Sequence, residues 1–542
     1  MAFEGGRFRS GARRGHGRRA GPSPGDAAPP RRRLFPRRER AMMVQERPPV
    51  LLASLLRALP VREVRGEIAA EVRDVSSDSR EIGPGFLFVA LRGFHADGHA
   101  FLRDALAKGA AAAVVERPEP GLALPQIVVS DARLTLGIAA DEVHGRPSEA
   151  IPVLGVTGTN GKTTVTFLVR SIFQAVGRTC GVLGTLGARW GTTEIAAVNT
   201  TPGADVVHRM LGRMLAGGAS AVAMEASSHA VALRRLVAVR FRAMALTNVT
   251  RDHLDFHGTV EAYRREKMRL FLPQELAEDR LQVGSAVLNA DDETGARLLG
   301  TTPLPRLTYG EADAADLKAE VLRSGIGGTA LVLRCRGEEA ETLLPLPGSF
   351  NVANALAAVG LALAAGLRLD EAAAGLAEAS PPPGRMERVD RGQAFGVVID
   401  YAHTPDGFER LLDTVRSFTS GRILLVFGCG GDRDRGKRPI MGKLAAEKAD
   451  LVFLTDDNPR TEDPAAIRRE VEKGLAEGNA VYETIPDREE AIARAFSLAR
   501  GADTVVLAGK GHERYQIVGA ERRPWSERAV SERLLDAAGG RA

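Results

Sequence analysis

Cysteine is almost missing from this chain. Cys180, Cys335 and Cys429 are scattered through 542 positions with no paired spacing. That excludes a disulfide framework and a thiolate zinc site, and it fits a reducing, cytoplasmic setting. Long apolar runs are missing too. Nothing approaches the roughly 20 residues of a membrane span. The nearest stretch, Ala353 to Leu367, is rich in Ala and Gly and reads as a buried helix. No apolar signal-peptide region and no internal repeat is visible.

Acids are depleted in one place. Residues 1–42 hold twelve Arg against three acids, with few apolar residues. Such a stretch cannot bury a core, and residues 1–45 are expected to be a disordered basic tail. Translation starting at Met42 or Met43 is the plainest account of it. A transit peptide, or a tail that touches RNA or membrane, is the alternative. The net charge of +5 therefore misleads, because about +9 sits in the tail and the remaining 500 residues are near −4. The pI of 9.2 is no sign of a nucleic-acid-binding core.

What is present is ordinary for a soluble globular protein: 44% hydrophobic and 26% charged residues. The length suits about three domains, and strand and helix patterns alternate, which predicts an α/β protein. Residues 46–145 read as a small α/β domain. Residues 146–380 read as a larger parallel-sheet domain of the P-loop ATPase type. Its strands are expected at 180–184, 221–225, 243–247 and 285–289, with strands and turns in an insertion near 300–345. Pro381-Pro-Pro-Gly384 marks a boundary. Residues 381–542 read as a Rossmann-like α/β domain, with strands expected at 396–400, 422–428, 451–455 and 503–508.

The chain is organised around Ile151 to Thr164. An apolar run breaks into a loop, Gly158-Thr-Asn-Gly-Lys-Thr-Thr164, and a helical pattern follows. Glycines let backbone N–H groups approach an anion, the helix start adds positive potential, and Lys162 reaches the terminal phosphates of ATP. Thr163 is placed to hold Mg²⁺. Val156 stands where the usual pattern has its first Gly, so this is a variant phosphate loop.

Other candidate residues follow expected strands. Glu225 and His253 could each ligate a hard cation, or could cap a helix and make a structural hydrogen bond. Asn199-Thr-Thr-Pro-Gly203 offers hydroxyls to a phosphate or sugar. Asn351 and Asn354 share one helix face. Arg385 could reach phosphate and Asp400 a ribose hydroxyl. Lys267, in an expected helix Glu261 to Phe271, reads by itself as a solvated lysine. The loops with Val75 to Arg80 and Arg92 to Gly98 could hold a nucleotide or be plain turns. Three loops in the last domain, Gly428 to Arg433, Asp457-Asn-Pro-Arg460 and Gly509 to Glu513, each follow a strand and can converge on one crevice. Arginines with acids there suit a zwitterion, the Arg forking a carboxylate and an acid holding an ammonium.

Thr157 to Thr164, Glu225-Ala-Ser-Ser-His229, Asn248 to Asp255, Asn351 to Asn354, Arg385 and Asp400-Tyr-Ala-His-Thr-Pro405 together resemble the Mur ligase family, over residues 46–535. The resemblance implies three-domain, ATP- and Mg²⁺-dependent amide-bond ligases of peptidoglycan synthesis, a step tied to cell shape and division. It implies that the first domain takes the UDP end of a UDP-muramoyl-dipeptide through Ser77, Ser79, Phe94, His95 and Ala96. Asn199, Thr200, Thr201, Ser227 and Arg235 match the muramoyl-dipeptide contacts; Leu233 departs from the polar residue that some relatives carry. It assigns ATP to Gly158, Thr159, Asn160, Gly161, Lys162, Thr163, Thr164, Asn351, Arg385 and Asp400. It makes Lys162, Glu225, His253 and Lys267 the catalytic set, with Thr163, Glu225, His253 and Lys267 around the metal. Lys267 matches a lysine that the family carbamylates to N6-carboxylysine, against its reading as a solvated side chain. Arg433, Asp457, Asn458, Pro459, Arg460, Gly509 and Glu513 match contacts to meso-2,6-diaminopimelate, whose second carboxylate calls for an additional Arg.

The expected reaction joins meso-2,6-diaminopimelate to the D-glutamyl γ-carboxylate of UDP-N-acetylmuramoyl-L-alanyl-D-glutamate through an acyl phosphate. A cytoplasmic monomer is expected, with no nucleic-acid partner for the folded core. The same chemistry with L-lysine, or with a folate as in folylpolyglutamate synthetase, is the first rival. A nucleotide-binding regulator without ligase activity is the second.

Overall fold

The computed structural model describes residues 48–93, 96–196 and 199–539. The Arg-rich stretch 1–45 and the expected uridine contacts Phe94 and His95 lie outside them. Among the described residues no helix is long and apolar enough to cross a membrane.

The first sheet is a parallel run of Asp74–Ser76, Phe86–Val89, Ala112–Val115 and Gln126–Val129, closed by antiparallel Val61–Arg65. Its three inner strands, Phe86–Val89, Ala112–Val115 and Gln126–Val129, carry apolar residues on both faces. Leu87, Val89, Val114 and Ile127 pack against helix Ala132–Val143. Phe88, Ala113, Val115 and Val128 pack against helix Leu102–Ala107. Continuous apolar runs of this kind are what a parallel sheet covered on both sides needs.

The second sheet is built outward from Val153–Thr157. Ala221–Glu225 and then Cys180–Gly184 lie parallel on one side; Arg240–Leu246, Ala286–Asn289 and Arg306–Tyr309 lie parallel on the other. An antiparallel meander, Leu317–Gly325, Gly328–Cys335 and Glu338–Leu344, extends one edge, as expected of the 300–345 insertion. Helices Lys162–Ala175 and Ser349–Ala364 cover one face and helix Ala204–Ala216 the other. The central strand is the topological switch point, so ligands belong at its carboxyl end.

The third sheet orders Gly396–Asp400, Thr504–Ala508, Ile423–Phe427, Leu451–Leu454 and Val481–Thr484 in parallel, with Glu387–Arg388 antiparallel at one edge. A separate hairpin pairs Tyr515–Val518 with Glu521–Pro524. Helix Pro405–Phe418 places Phe408, Leu411, Leu412 and Val415 in an apolar cluster that is continuous with helix Ser349–Ala364 of the middle sheet. The first and middle sheets also share an apolar cluster, which takes in Val237 and Ala238. Arg209, fully buried on helix Ala204–Ala216, pairs with Asp74 at 3.0 Å and donates to the Val75 carbonyl. All three cysteines are free and buried.

Candidate active site

Val153–Thr157 delivers the chain into the phosphate loop at φ values that side chains resist: Gly158 at +149° and Gly161 at +88°. A Cβ on Gly158 would collide with the Thr247 hydroxyl, and one on Gly161 with the Asn354 amide. The loop is thus pressed between the ends of neighbouring elements. Asn160 N donates to Asn248 Oδ1 at 3.0 Å, and Thr159 N to the Asn248 carbonyl at 2.7 Å. Helix Lys162–Ala175 starts with no side-chain cap, so its first amides face the loop. Lys162 Nζ donates to the Gly158 and Thr159 carbonyls, both at 2.8 Å. Burial pushes its pKa down, partly opposed by Glu225 and Asp252. Such a cradle of amides, uncapped helix and half-buried lysine fits a polyphosphate.

Beside it lies an oxygen-rich corner. Glu225, at the end of Ala221–Glu225 and buried, accepts from the Thr163 hydroxyl at 2.9 Å. It also accepts from Thr185 N at 2.8 Å and Thr185 Oγ1 at 3.0 Å. A carboxylate against a hydroxyl at a helix start is the donor set of a hard divalent cation. His253 is half-exposed, at φ +51°, with Nε2 at 3.4 Å from Asp252 Oδ2. Its ring lies 4.8 Å from His229 and 6.0 Å from Tyr263. Burial, then the charges of His253 and His257, pushes His229 down to about 4.

The structure corrects the reading of Lys267 as a solvated lysine: it is 1% exposed. Its Nζ lies over the Tyr263 ring at 4.5 Å and donates to the Gly158 carbonyl at 2.8 Å, the same oxygen that Lys162 uses. Burial first, and then the neighbouring Lys162, holds the amine well below its ordinary 10.5. Two lysine nitrogens share one carbonyl, so a charge on both would be repulsive and an anion between them would relieve it.

Asn199, Thr200, Thr201, Ser227, Arg235 and His253 line one side of a cleft of about 1040 Å³. A hydrogen-bond web ties Thr201, Ser227 and Arg235 together. The Thr201 hydroxyl donates to the Glu225 carbonyl at 2.8 Å and lies 3.1 Å from Ser227 Oγ, while Arg235 holds the Thr201 carbonyl at 2.7 Å. Arg433, Asp457, Asn458, Arg460, Gly509 and Glu513 line the other side. These come from the carboxyl ends of Ile423–Phe427, Leu451–Leu454 and Thr504–Ala508, the convergence expected from the sequence. Arg460, at φ +54°, donates its backbone N–H to the Ile517 carbonyl at 3.1 Å and its guanidinium to Gly431 O at 2.6 Å.

Other expected residues stand back from the cleft. Asn351 and Asn354 are buried and bonded to each other behind Gly161. Arg385 stacks on the Tyr401 ring at 4.6 Å. Asp400 accepts Met386 N and Ala402 N, both at 2.7 Å, and burial raises its pKa. In the first domain Ser77 bonds through N to Asp205 at 3.1 Å; Ser79 is buried, and the Ala96 carbonyl accepts Gly93 N. Sequence reasoning missed three residues. Thr185 directly follows a strand that was expected, and Asp406 directly follows the Asp400–Pro405 segment. Asp406 accepts the Asn160 amide at 2.8 Å across the domain boundary. Lys510 lies inside a loop that the sequence singled out.

Three family profiles match the chain: the Mur ligase family catalytic domain over 71–144, the Mur ligase middle domain over 156–362, and the Mur ligase glutamate ligase domain over 384–511. The chain belongs to the Mur ligase family, whose members are ATP-dependent ligases. A UDP-N-acetylmuramoyl-L-alanyl-D-glutamate–2,6-diaminopimelate ligase of Geobacillus kaustophilus (strain HTA426) is 42% identical over 480 residues, 89% of this chain and 98% of that one. A UDP-N-acetylmuramyl-tripeptide synthetase of Roseiflexus sp. (strain RS-1) is 44% identical over 485 residues, covering 86% of this chain and 94% of its own. A solved UDP-N-acetylmuramoyl-L-alanyl-D-glutamate–2,6-diaminopimelate ligase superposes with TM-score 0.65 at 32% identity, covering 91% and 99% of the two chains.

Proposed function

We infer that this chain is the ATP-dependent ligase that adds meso-2,6-diaminopimelate to the D-glutamyl γ-carboxylate of UDP-N-acetylmuramoyl-L-alanyl-D-glutamate in peptidoglycan synthesis. The observation that carries the inference is the near full-length 42% identity to a ligase of that name. The convergence of Arg433, Arg460, Asp457 and Glu513 on one cleft supports the choice of amino acid. Diaminopimelate carries a second carboxylate that lysine lacks, and Arg460 is the fork offered to it.

The γ-carboxylate of the uridine substrate takes the terminal phosphoryl group of ATP and becomes an acyl phosphate. The diaminopimelate amine then attacks the acyl carbon and phosphate leaves. Lys162 and the loop amides offset charge on the transferred group, which is the main protein contribution to such transfers. Thr163 and Glu225 would hold Mg²⁺, with His253 and a carbamylated Lys267 beside it. A bound divalent cation supplies further charge neutralisation. Lys267 suits the modification because burial, and then the neighbouring Lys162, push its amine toward the uncharged form. The uncharged nitrogen bonds to CO₂, loses a proton and becomes a carbamate, which turns the Lys162–Lys267 repulsion into attraction. Thr200, Thr201, Ser227 and Arg235 orient the muramoyl dipeptide, and Ser77, Ser79 and Ala96 stand at the uridine end. We place the reaction in the cytoplasm, carried out by a monomer of three domains.

The test is phosphate release from the purified protein with ATP, Mg²⁺ and UDP-N-acetylmuramoyl-L-alanyl-D-glutamate, with meso-diaminopimelate and L-lysine offered separately. Release with diaminopimelate alone is expected. Release with lysine alone would sink the reading of the Arg460 loop and keep the ligase. Silence with both, while ATP binds, would favour a regulator.

A further inference from the structure

The Gly509 to Glu513 loop contains a cation that no step above uses. Lys510 is 0% exposed, so its ammonium is sealed off from anything in the cleft. Its Nζ stands 3.0 Å from Glu513 Oε2, 3.2 Å from Asn458 Oδ1 and 3.5 Å from Asp457 Oδ1. Three side chains that line the cleft are therefore tied to one hidden centre. Asn458 is committed at both ends: Oδ1 also accepts Ile517 N at 2.9 Å, and Nδ2 donates to Glu513 Oε2 at 2.7 Å. Gly509, at φ +101°, keeps the strand end close; a Cβ there would stand 3.2 Å from Asp457 Oδ2.

The charges explain why a lysine stands there. Asp457 and Glu513 side by side repel each other, and both must keep their charge to hold a ligand ammonium. One ammonium between them leaves a single net negative charge toward the cleft, the complement of one ligand ammonium. Burying Lys510 costs solvation, and three converging acceptors offset that cost. A cation of this kind shapes recognition without touching the ligand.

We propose that Lys510 is a positioning residue that fixes Asp457, Asn458 and Glu513 to receive the distal ammonium of the amino acid, and so sets selectivity for a diamino diacid; this rests on the amino-acid site proposed above. The distal zwitterion is then read by two devices, Arg460 for its carboxylate and the Lys510-braced acids for its ammonium.

The test compares wild type with Lys510→Met and Lys510→Gln. Phosphate release is measured with meso-diaminopimelate and with 2-aminopimelate, which keeps both carboxylates and lacks the second ammonium. Gln retains hydrogen-bond donors and guards against simple misfolding. KM for diaminopimelate is expected to rise about 10- to 100-fold in both variants, the scale of hydrogen bonds to charged groups. KM for ATP and for the uridine substrate should stay within about twofold of wild type, as for a residue acting at one subsite. The preference for diaminopimelate over 2-aminopimelate should fall by the same factor as its KM rises. A retained preference, or three KM values rising together, overturns the proposal. Loss of folding in both variants does so too, because it assigns Lys510 to stability alone. A wild type that is silent with diaminopimelate sinks the proposed function, and this inference with it.

Discussion

Lys267 is where the surroundings change a residue's chemistry most. Its amine is buried, faces Lys162 and is pushed well below 10.5, toward the uncharged form that reacts with CO₂. With ¹³C-labelled bicarbonate, a carbamate carbon signal should appear in wild type and be missing from Lys267→Ala. The variant should lose about 100-fold or more of its phosphate release, the scale seen when one group that stabilises transition-state charge is removed. In CO₂-free buffer the sign of the pH effect is fixed. Between the lowered folded pKa and 10.5 the unfolded chain binds a proton that the folded chain does not, so stability rises with pH across that window. Lys267→Met should lack this slope in thermal melts. None of this was legible locally, since Glu261, Arg264, Arg265 and Glu266 give its helix a solvated pattern. Lys267 is buried by Gly158 and Tyr263, and Gly158 lies 109 positions away. Lys162 and Thr163 were legible because their loop makes its own environment.

At the scale of elements, the strand ends carried the information. Apolar runs ending in Gly, Asp or Glu marked Ala221–Glu225, Gly396–Asp400 and Thr504–Ala508 within a residue or so. Val481–Thr484 and the hairpin at 515–524 were not marked. They are half-exposed or exposed, so they lack the apolar signal, and the hairpin is fixed by the distant Arg460. The helix Lys437–Lys448 adds a brace that the sequence hid. Arg438, 0% exposed, binds Glu462 at 2.8 Å, Glu470 at 2.8 Å and the Gly430 carbonyl at 3.1 Å. It thereby ties the Gly428 to Arg433 loop to the segment that follows Arg460. The Arg438 hydrogen bond holds Glu462 down to about 2 against an ordinary 4.5. Stability from this contact is complete above 4.5 and is lost as pH falls through about 2. Glu462→Gln should be less stable than wild type at neutral pH, and the gap should close on acid titration followed by circular dichroism.

At the scale of the whole molecule, both domain boundaries join apolar clusters, and each adds its own polar contact. The first is closed by a buried ion pair, Arg209 with Asp74. Removing Arg209 leaves buried Asp74 beside His144 and the Val75 N–H without its guanidinium, so Arg209→Met should cost about 3 kcal/mol in urea unfolding. The second boundary adds to the apolar cluster of Phe408 and Leu412 the polar contact of Asn160 with Asp406 beside the phosphate loop. It is the boundary across which the phosphoryl and amino-acid groups must meet. Binding of ATP and the uridine substrate should narrow the cleft and exclude water from the acyl phosphate. Small-angle scattering should show a smaller radius of gyration with ligands than without, and an unchanged radius would rule closure out.

The scarce cysteines return here as a tool. Burial pushes the thiols of Cys180 and Cys429 up to about 12 and about 11, so the folded chain keeps them protonated and unreactive. One sits in the central sheet and the other within the Gly428 to Arg433 loop, 4.0 Å from Met441. A thiol-specific dye can then modify either position only while its surroundings are open. Peptide mapping of the labelled sites over time would report separately how often each region breathes, with no engineered probe.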